Sequence, residues 1–339
     1  MDISFSKLKA FQQCKKQYYY KFVECLIPRA IYAPFLKGKI IHEFLQSIYT
    51  SGKFLSKEEI DELVAKHSNE LIIDNEVINE TPQDLAIILQ EYQFMYREDF
   101  EKYRVHAIEK PFEMYLEDVD VILTGRIDGI WEEDQIYYVV EHKSMKRMKS
   151  FDLDYSYRPQ VILYMLGAKY LGYPISGVIW NFIRTESPQP LKILKNGKVS
   201  FVHLDNTTSH MFIEQLSHPD ANAITPIGEY ERALLQLQML ERNNESKFFR
   251  RFKLKIDETT KRNVLKNVVT VVDEIRSINW NQPISRHIGE HCKRCPYLSL
   301  CQAEIRGWDM KQTLMNFKIE PKKEESIKES EELEEKDSE

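Results

Sequence analysis

The sequence predicts an α/β fold, one β-sheet covered by helices, and three features of the chain predict it. β texture begins at Phe112 and runs to His142, interrupted by the acidic turn Glu132-Glu133-Asp134-Gln135. A helical segment, Tyr157 to Leu171, separates this from a further apolar run, Val178 to Ile183. Helical spacing recurs through much of the rest of the 339-residue chain. A β-α-β order sets the last strand beside the hairpin in one sheet, and the long helical segments then bury the faces of that sheet.

Taken in order, Phe5, Leu8, Phe11, Tyr18 and Phe22 recur at helical spacing over residues 5–24, before Pro28. A second helix follows Pro34 as far as Gly52 and carries Gly38 and His42 one turn apart. Residues 56–104 read as two or three polar-surfaced helices, with Thr81-Pro82 as a start signal and Leu85, Ile88, Leu89, Tyr92 and Met95 as the apolar stripe. The strands Val119 to Trp131 and Ile136 to His142 form a hairpin around the acidic turn. Pro159 and Gly172 bound the next helix. Over 191–257 the pattern weakens to a helix near 229–243 and a basic strand, Phe248 to Ile256. A last helix, about 258–277, leads into a group of cysteines.

Composition excludes some classes. With 42% hydrophobic and 12% aromatic residues the chain is not disordered as a whole. No stretch approaches the roughly 18 uninterrupted apolar residues of a membrane span, and the N-terminus lacks a basic region followed by an apolar one. A soluble, cytoplasmic protein is expected. The net charge of −6 lies entirely in residues 320–339, which hold ten acids, four lysines and almost no apolar side chains. That tail reads as disordered, and residues 1–319 balance at zero. A neutral body still leaves room for a basic groove.

Chemistry concentrates at the hairpin. Side chains of a strand alternate, so Glu141 and Lys143 share a face, and Asp128 meets them there if the two strands pair. Two converging carboxylates bind a hard divalent ion, and a lysine ammonium beside them steadies a water or a phosphate. An E-x-K triplet alone is an ordinary strand face. Here both acids end apolar strands, where an unpaired carboxylate is costly.

Asp128 in Gly125-Arg-Ile-Asp128, followed by Glu141-x-Lys143, resembles the PD-(D/E)xK nuclease core, in the form of its RecB-like branch. Gly38-Lys-Ile-Ile-His42 resembles the upstream histidine motif of that branch, and Gln160-Val-Ile-Leu-Tyr164 its Gln-x-x-x-Tyr motif. The resemblance implies a restriction-endonuclease-like core, a mixed central sheet flanked by helices with a helical insertion at about 53–107. It also implies Mg²⁺ or Mn²⁺ held by His42, Asp128, Glu141 and the backbone carbonyl of His142, with Asp128, Glu141, Lys143, Gln160 and Tyr164 serving hydrolysis.

Cys292-x2-Cys295-x5-Cys301 with Cys14 upstream is a four-thiolate set that suits zinc or an iron-sulfur cluster. Disulfides fit an intracellular chain poorly. The arrangement is similar to the cluster-bearing members of the same nuclease branch, so the resemblance favours [4Fe-4S] over zinc. It would tie residue 14 to a segment at about 287–305 and make residues 1–319 a single nuclease domain. Cys25 is left over as a free thiol.

Lys146, Arg147 and Lys149 follow the Glu141 strand directly, and Arg158 opens the next helix, so these four are the expected DNA contacts. A second run, Arg250, Arg251, Lys253 and Lys255 with interleaved Phe248, Phe249 and Phe252, reads equally as a solvated face. The resemblance implies a DNA exonuclease acting on single strands or ends in recombination, repair or phage replication. Its partners would be a helicase, an annealing protein or a CRISPR adaptation protein. The competing readings are a non-catalytic DNA-end-binding subunit and an endonuclease that trims flaps or spacers.

Overall fold

The structure, a computed structural model of the chain, describes residues 1–29, 33–67, 82–148, 155, 157–196, 198–217 and 227–320. Within them the strands are β1 (Asp2–Ile3), β2 (Leu26–Pro28), β3 (Arg104–Leu116), β4 (Val121–Glu133), β5 (Ile136–Met145), β6 (Ile175–Arg184), β7 (Phe249–Leu254) and β8 (Phe317–Ile319). The helices are α1 (Phe5–Gln13), α2 (Lys15–Tyr18), α3 (Ala33–Ser51), α4 (Lys57–Lys66), α5 (Pro82–Met95), α6 (Asp99–Lys102), α7 (Pro159–Tyr170), α8 (Ser209–Leu216), α9 (Ile227–Arg242), α10 (Glu258–Ser277), α11 (Leu298–Arg306) and α12 (Met310–Leu314). The acidic tail beyond Glu320, Lys149 and the start signal at Thr81 lie outside the described residues.

Contacts divide the chain into two compact units. The larger comprises Ala33–Met114 and Thr124–Leu265; the smaller comprises Met1–Tyr32, Tyr115–Leu123 and Lys266–Glu339. In the larger unit the sheet order is β3, β4, β5, β6, β7. β4 and β5 form the expected antiparallel hairpin, with Gly129 opposite Val140. β5 and β6 are parallel, joined through α7, and β7 returns antiparallel to β6. The fold is thus α/β with a mixed central sheet flanked by helices.

Apolar spacing explains the packing of α3. Leu36, Ile40, Ile41, Phe44, Leu45 and Ile48 recur on one face and are all buried in a core shared with α4, α5 and the sheet residues Trp131, Val140, Ile179 and Ile183. Each such side chain contributes about 1.5–3 kcal/mol on burial. α4 begins with a capping box, Ser56 Oγ accepting from the Glu59 N–H while Glu59 accepts from the Ser56 N–H at 2.7 Å. Gly38 lets α3 approach β5 closely, since a Cβ there would stand 3.0 Å from Ser144 Oγ.

In the smaller unit β1 pairs in parallel with the first residues of β4, and β2 pairs antiparallel with β8, Leu26 opposite Ile319. Tyr20, Leu26, Tyr297, Leu300 and Phe317 pack together there.

Three expectations are corrected. The helix predicted over 5–24 breaks at Cys14, which is extended (φ −165°, ψ 117°) and separates α1 from α2, and a π-helical turn covers Tyr19–Val23. β structure starts at Arg104 rather than Phe112, so the helical segment ends at Lys102. Pro111 concealed this, yet β3 is an edge strand, where a missing N–H is tolerated. α8 was not predicted; it packs Phe212 into a satellite cluster with Leu204, Tyr230 and Leu237.

Phe112 lies between two glycines. A Cβ at Gly125 of β4 or at Gly167 of α7 would meet its buried ring at 2.6 Å, so helix and sheet approach through the space both glycines leave. Gly167→Ala forces that ring aside, and a cost of about 1–3 kcal/mol is expected. Denaturant unfolding of the variant, with an unchanged midpoint as the contrary result, checks it.

Candidate active site

The hairpin register brings the two carboxylates together. Gly129 faces Val140, so the next residues along, Asp128 and Glu141, stand opposite each other at the end of the hairpin ladder. Both are buried, at 8% and 1% exposure. Asp128 Oδ2 accepts the backbone N–H of His142 at 2.9 Å, which ties the acid of one strand to the backbone of the other. Glu141 Oε1 accepts from Lys143 Nζ, on the same face of β5.

From Lys143 the contacts continue onto α7. Lys143 Nζ donates to Gln160 Oε1 at 2.9 Å, and Gln160 Nε2 donates to the Tyr164 hydroxyl at 3.3 Å. The four-residue spacing of Gln160 and Tyr164 puts both on one helix face. Glu141, Lys143, Gln160 and Tyr164 therefore form one continuous polar line.

His42 comes from α3, with Nδ1 4.0 Å from Asp128 Oδ2 and 3.7 Å from Glu109 Oε1. His42, Glu109 and Asp128 each offer a ligand atom within 4.8 Å of the others. Glu109 was missed from sequence. It sits in β3 with φ 45°, a left-handed conformation that is strained for a glutamate. Strain of this kind persists where the surroundings over-determine it, as at a ligand site.

Electrostatics mark the site as short of a cation. Burial, then the neighbouring Asp128 charge, pushes the Glu141 carboxyl up to about 8, against the pull of Lys143. Burial also raises Asp128, opposed by His42, the His142 N–H and Lys143. Burial alone would lower His42, but Glu109, Asp128 and Glu141 outweigh it and hold its pKa above the ordinary value. Glu141 Oε2 is buried with no hydrogen-bond partner. The His42–Glu109–Asp128 group, which Glu141 does not itself join within 4.8 Å, together with the orphaned carboxylate oxygen of Glu141 opposite Asp128, is a donor set that fits a Mg²⁺- or Mn²⁺-sized ion.

His142 contributes differently from the acids. Its side chain turns to the other face of the sheet, where Nδ1 meets Asn181 Nδ2 at 2.9 Å. Burial, then the charges of His42, Arg251 and Lys143, holds its pKa well below the usual histidine range. Among the expected DNA contacts, Lys146, Arg147 and Arg158 are exposed; Lys146 pairs with Glu186 at 3.4 Å, and Arg158 covers the Tyr155 ring. The second basic run is not a solvated face throughout: Arg251 is buried against Asp99, and Lys253 pairs with Glu133.

The cysteines lie in the smaller unit. Cys14 occupies the break between α1 and α2, Cys292 lies within a short 3₁₀ turn (Glu290–Arg294) that Cys295 ends, and Cys301 is on α11. All four are half-buried free thiols. Burial first, then the charges of Cys14, Cys292 and Cys301, pushes the Cys295 thiol up, so all four sulfurs share one electrostatic neighbourhood. Cys25 stands apart at φ 53°, its sulfur near the carbonyls of Phe22 and Val23.

Two outcomes follow for the carboxylate site. Glu109→Ala is expected to weaken Mn²⁺ binding about tenfold or more, measured by calorimetry. Because Glu141 must lose its proton to bind a cation, Mn²⁺ affinity is expected to rise as pH rises toward about 8, with proton release. Affinity that stays flat from pH 6 to 8 would contradict this.

A family model for the PD-(D/E)XK nuclease superfamily matches residues 2–302, which takes in both acids, Lys143, the α7 pair and Cys14, Cys292, Cys295 and Cys301. No curated protein matches the sequence. With nearly the whole chain covered, and a hairpin that delivers an aspartate opposite an E-x-K triplet, this protein belongs to the PD-(D/E)XK nuclease superfamily.

Proposed function

We propose that the protein is a metal-dependent DNA exonuclease of the RecB-like branch, hydrolysing phosphodiester bonds on single strands or DNA ends. The observation that carries this reading is the line Glu141–Lys143–Gln160–Tyr164 beside Asp128, with Glu141 Oε2 left unpartnered. A binding module would have no use for an orphaned carboxylate oxygen, because burying it costs stability and gains nothing.

Asp128, Glu141, Glu109 and His42 would hold one or two Mg²⁺ or Mn²⁺ ions, with the His142 carbonyl as a further ligand by resemblance. Such an ion lowers the pKa of a water and neutralises the leaving oxygen. The chain's own residues do the rest. Lys143, held between Glu141 and Gln160, orients the attacking water and favours its deprotonation through its positive charge. Gln160 and Tyr164 place hydrogen-bond donors toward a phosphate oxygen or base next to the scissile bond. Exposed Lys146, Arg147 and Arg158 grip the backbone through charge, and Lys149 extends that run in sequence.

Cys14, Cys292, Cys295 and Cys301 fit a [4Fe-4S] cluster as a set of four cysteines, the charges of the other three helping to push the Cys295 thiol up. The role proposed for it is structural, joining α2 to the Cys292–Cys301 segment in sequence regions nearly three hundred residues apart.

Asp128→Ala and Lys143→Ala are each expected to abolish Mn²⁺-dependent cleavage of end-labelled DNA while DNA binding survives. Cleavage at wild-type rate by either variant would remove that residue from the mechanism. Linear single strands are expected to be degraded and circular ones spared, whereas equal cutting of both would favour an endonuclease. Anaerobically purified protein is expected to be brown and iron-loaded, with the colour lost in Cys295→Ser; stoichiometric zinc in place of iron would overturn the cluster.

A further inference from the structure

Arg251 and Asn181 reach the site so far described only through His142, yet neither lies on the surface. Asn181 is fully buried, and the Arg251 side chain is 8% exposed. The register sets both in one row with His142: His142 pairs with Asn181 across β5 and β6, and Asn181 with Arg251 across β6 and β7. Residues in one row of a sheet share a face. This is the face opposite to that of Glu141 and Lys143.

The row is polar from end to end while its neighbours on the same face, Val140, Ile179, Ile183 and Phe249, are core residues. Burying a guanidinium is costly unless its donors are matched. Here they are matched. Arg251 Nη1 donates to Asp99 Oδ1 at 2.7 Å, Nη2 to the Tyr92 hydroxyl at 3.1 Å, and Nε to Asn181 Oδ1 at 3.3 Å. Tyr49 completes the group by donating to Asp99 Oδ2.

Arginine only donates, so the Asn181 oxygen must face it, and the amide nitrogen must then face His142 Nδ1. An amide nitrogen only donates as well. His142 Nδ1 is therefore an acceptor, and the ring proton sits on Nε2. The arginine two strands away thus selects the tautomer and orientation of the histidine between Glu141 and Lys143, the residue whose backbone N–H holds Asp128.

We propose that Arg251 is a positioning residue for the metal site, acting through Asn181 to lock His142 and with it the peptide that carries the carboxylate pair. The inference rests on the metal-dependent reading above. It predicts that breaking the row loosens metal binding without touching the DNA surface.

Arg251→Met, Arg251→Lys and Asn181→Leu are to be compared with wild type and Asp128→Ala, for Mn²⁺ binding by calorimetry and for cleavage of end-labelled single-stranded DNA over a Mn²⁺ series. The row variants are expected to bind Mn²⁺ about 10- to 100-fold more weakly, to keep the KM for DNA, and to recover kcat as Mn²⁺ is raised. A residue that only supported the fold would show no such rescue by metal. Wild-type Mn²⁺ affinity in folded Arg251→Met and Asn181→Leu proteins would overturn the proposal. No Mn²⁺ binding by wild type, or equal binding by Asp128→Ala, would instead sink the metal reading beneath it. If the Arg251 variants lose cooperative unfolding, Asn181→Leu decides, since it exchanges a buried amide for an apolar side chain of similar volume.

Discussion

Two buried carboxylates facing each other across a β-hairpin set the terms for the larger unit. Asp128 and Glu141 repel, and each is desolvated, so each resists ionisation. Left uncompensated, such a pair would favour protonation or a rearranged hairpin. The surroundings supply partial compensation from three directions: the His142 N–H, the Lys143 ammonium and the His42 ring. None of these reaches Glu141 Oε2, and the remaining deficit is what a divalent cation would fill.

The sheet makes this arrangement affordable by separating two kinds of polarity. On β5, Glu141 and Lys143 point one way and His142 the other, because side chains alternate. One face meets α7 through Gln160 and Tyr164; the other carries the row His142, Asn181 and Arg251, with Tyr49, Tyr92 and Asp99 from the helices. The charged and amide groups of the row find partners within it or from α3, α5 or α6, so the row rigidifies without leaving a charge stranded, although Trp131 Nε1 and the Tyr96 hydroxyl beside it are buried without a partner. On the first face Glu141 Oε2 is left without a partner, as is Trp180 Nε1, and an unmet carboxylate oxygen backed by a row whose charges are matched is the mark of a site rather than of a poorly packed core.

How much of this was legible in the sequence depended on whether the signal was local. Asp128, Glu141 and Lys143 could be placed because strand alternation and one hairpin determine their geometry, and Gln160 with Tyr164 because a helix turn does. The β5-α7-β6 crossover followed from element order. Glu109 was hidden in an edge strand whose Pro111 and polar alternation resemble a loop, and its left-handed backbone has no sequence signature. Arg251 was misjudged for a related reason: a basic run with interleaved phenylalanines gives no hint that one arginine is buried, since its partners Asp99 and Asn181 come from distant segments through register alone. Cys14 looked like one more residue of a long helix, and the break that sets it between α1 and α2 appears only when the backbone is traced.

Charge shows the same contrast between a total and its placement. The formal −6 resides in residues 320–339 and says nothing about the site, where carboxylates gather and would repel a phosphodiester. A polyanion approaches such a cluster only if positive charge is supplied there. Lys143 is already committed to Glu141 and Gln160, so its ammonium cannot serve the whole task. On the reading proposed, the cation is needed twice, to admit the substrate and to activate water, and both needs trace to the same unpaired oxygen. The buried acids are therefore best understood as a deliberate local deficit: their repulsion, costly to the free chain, becomes attraction for the ion that makes the site work.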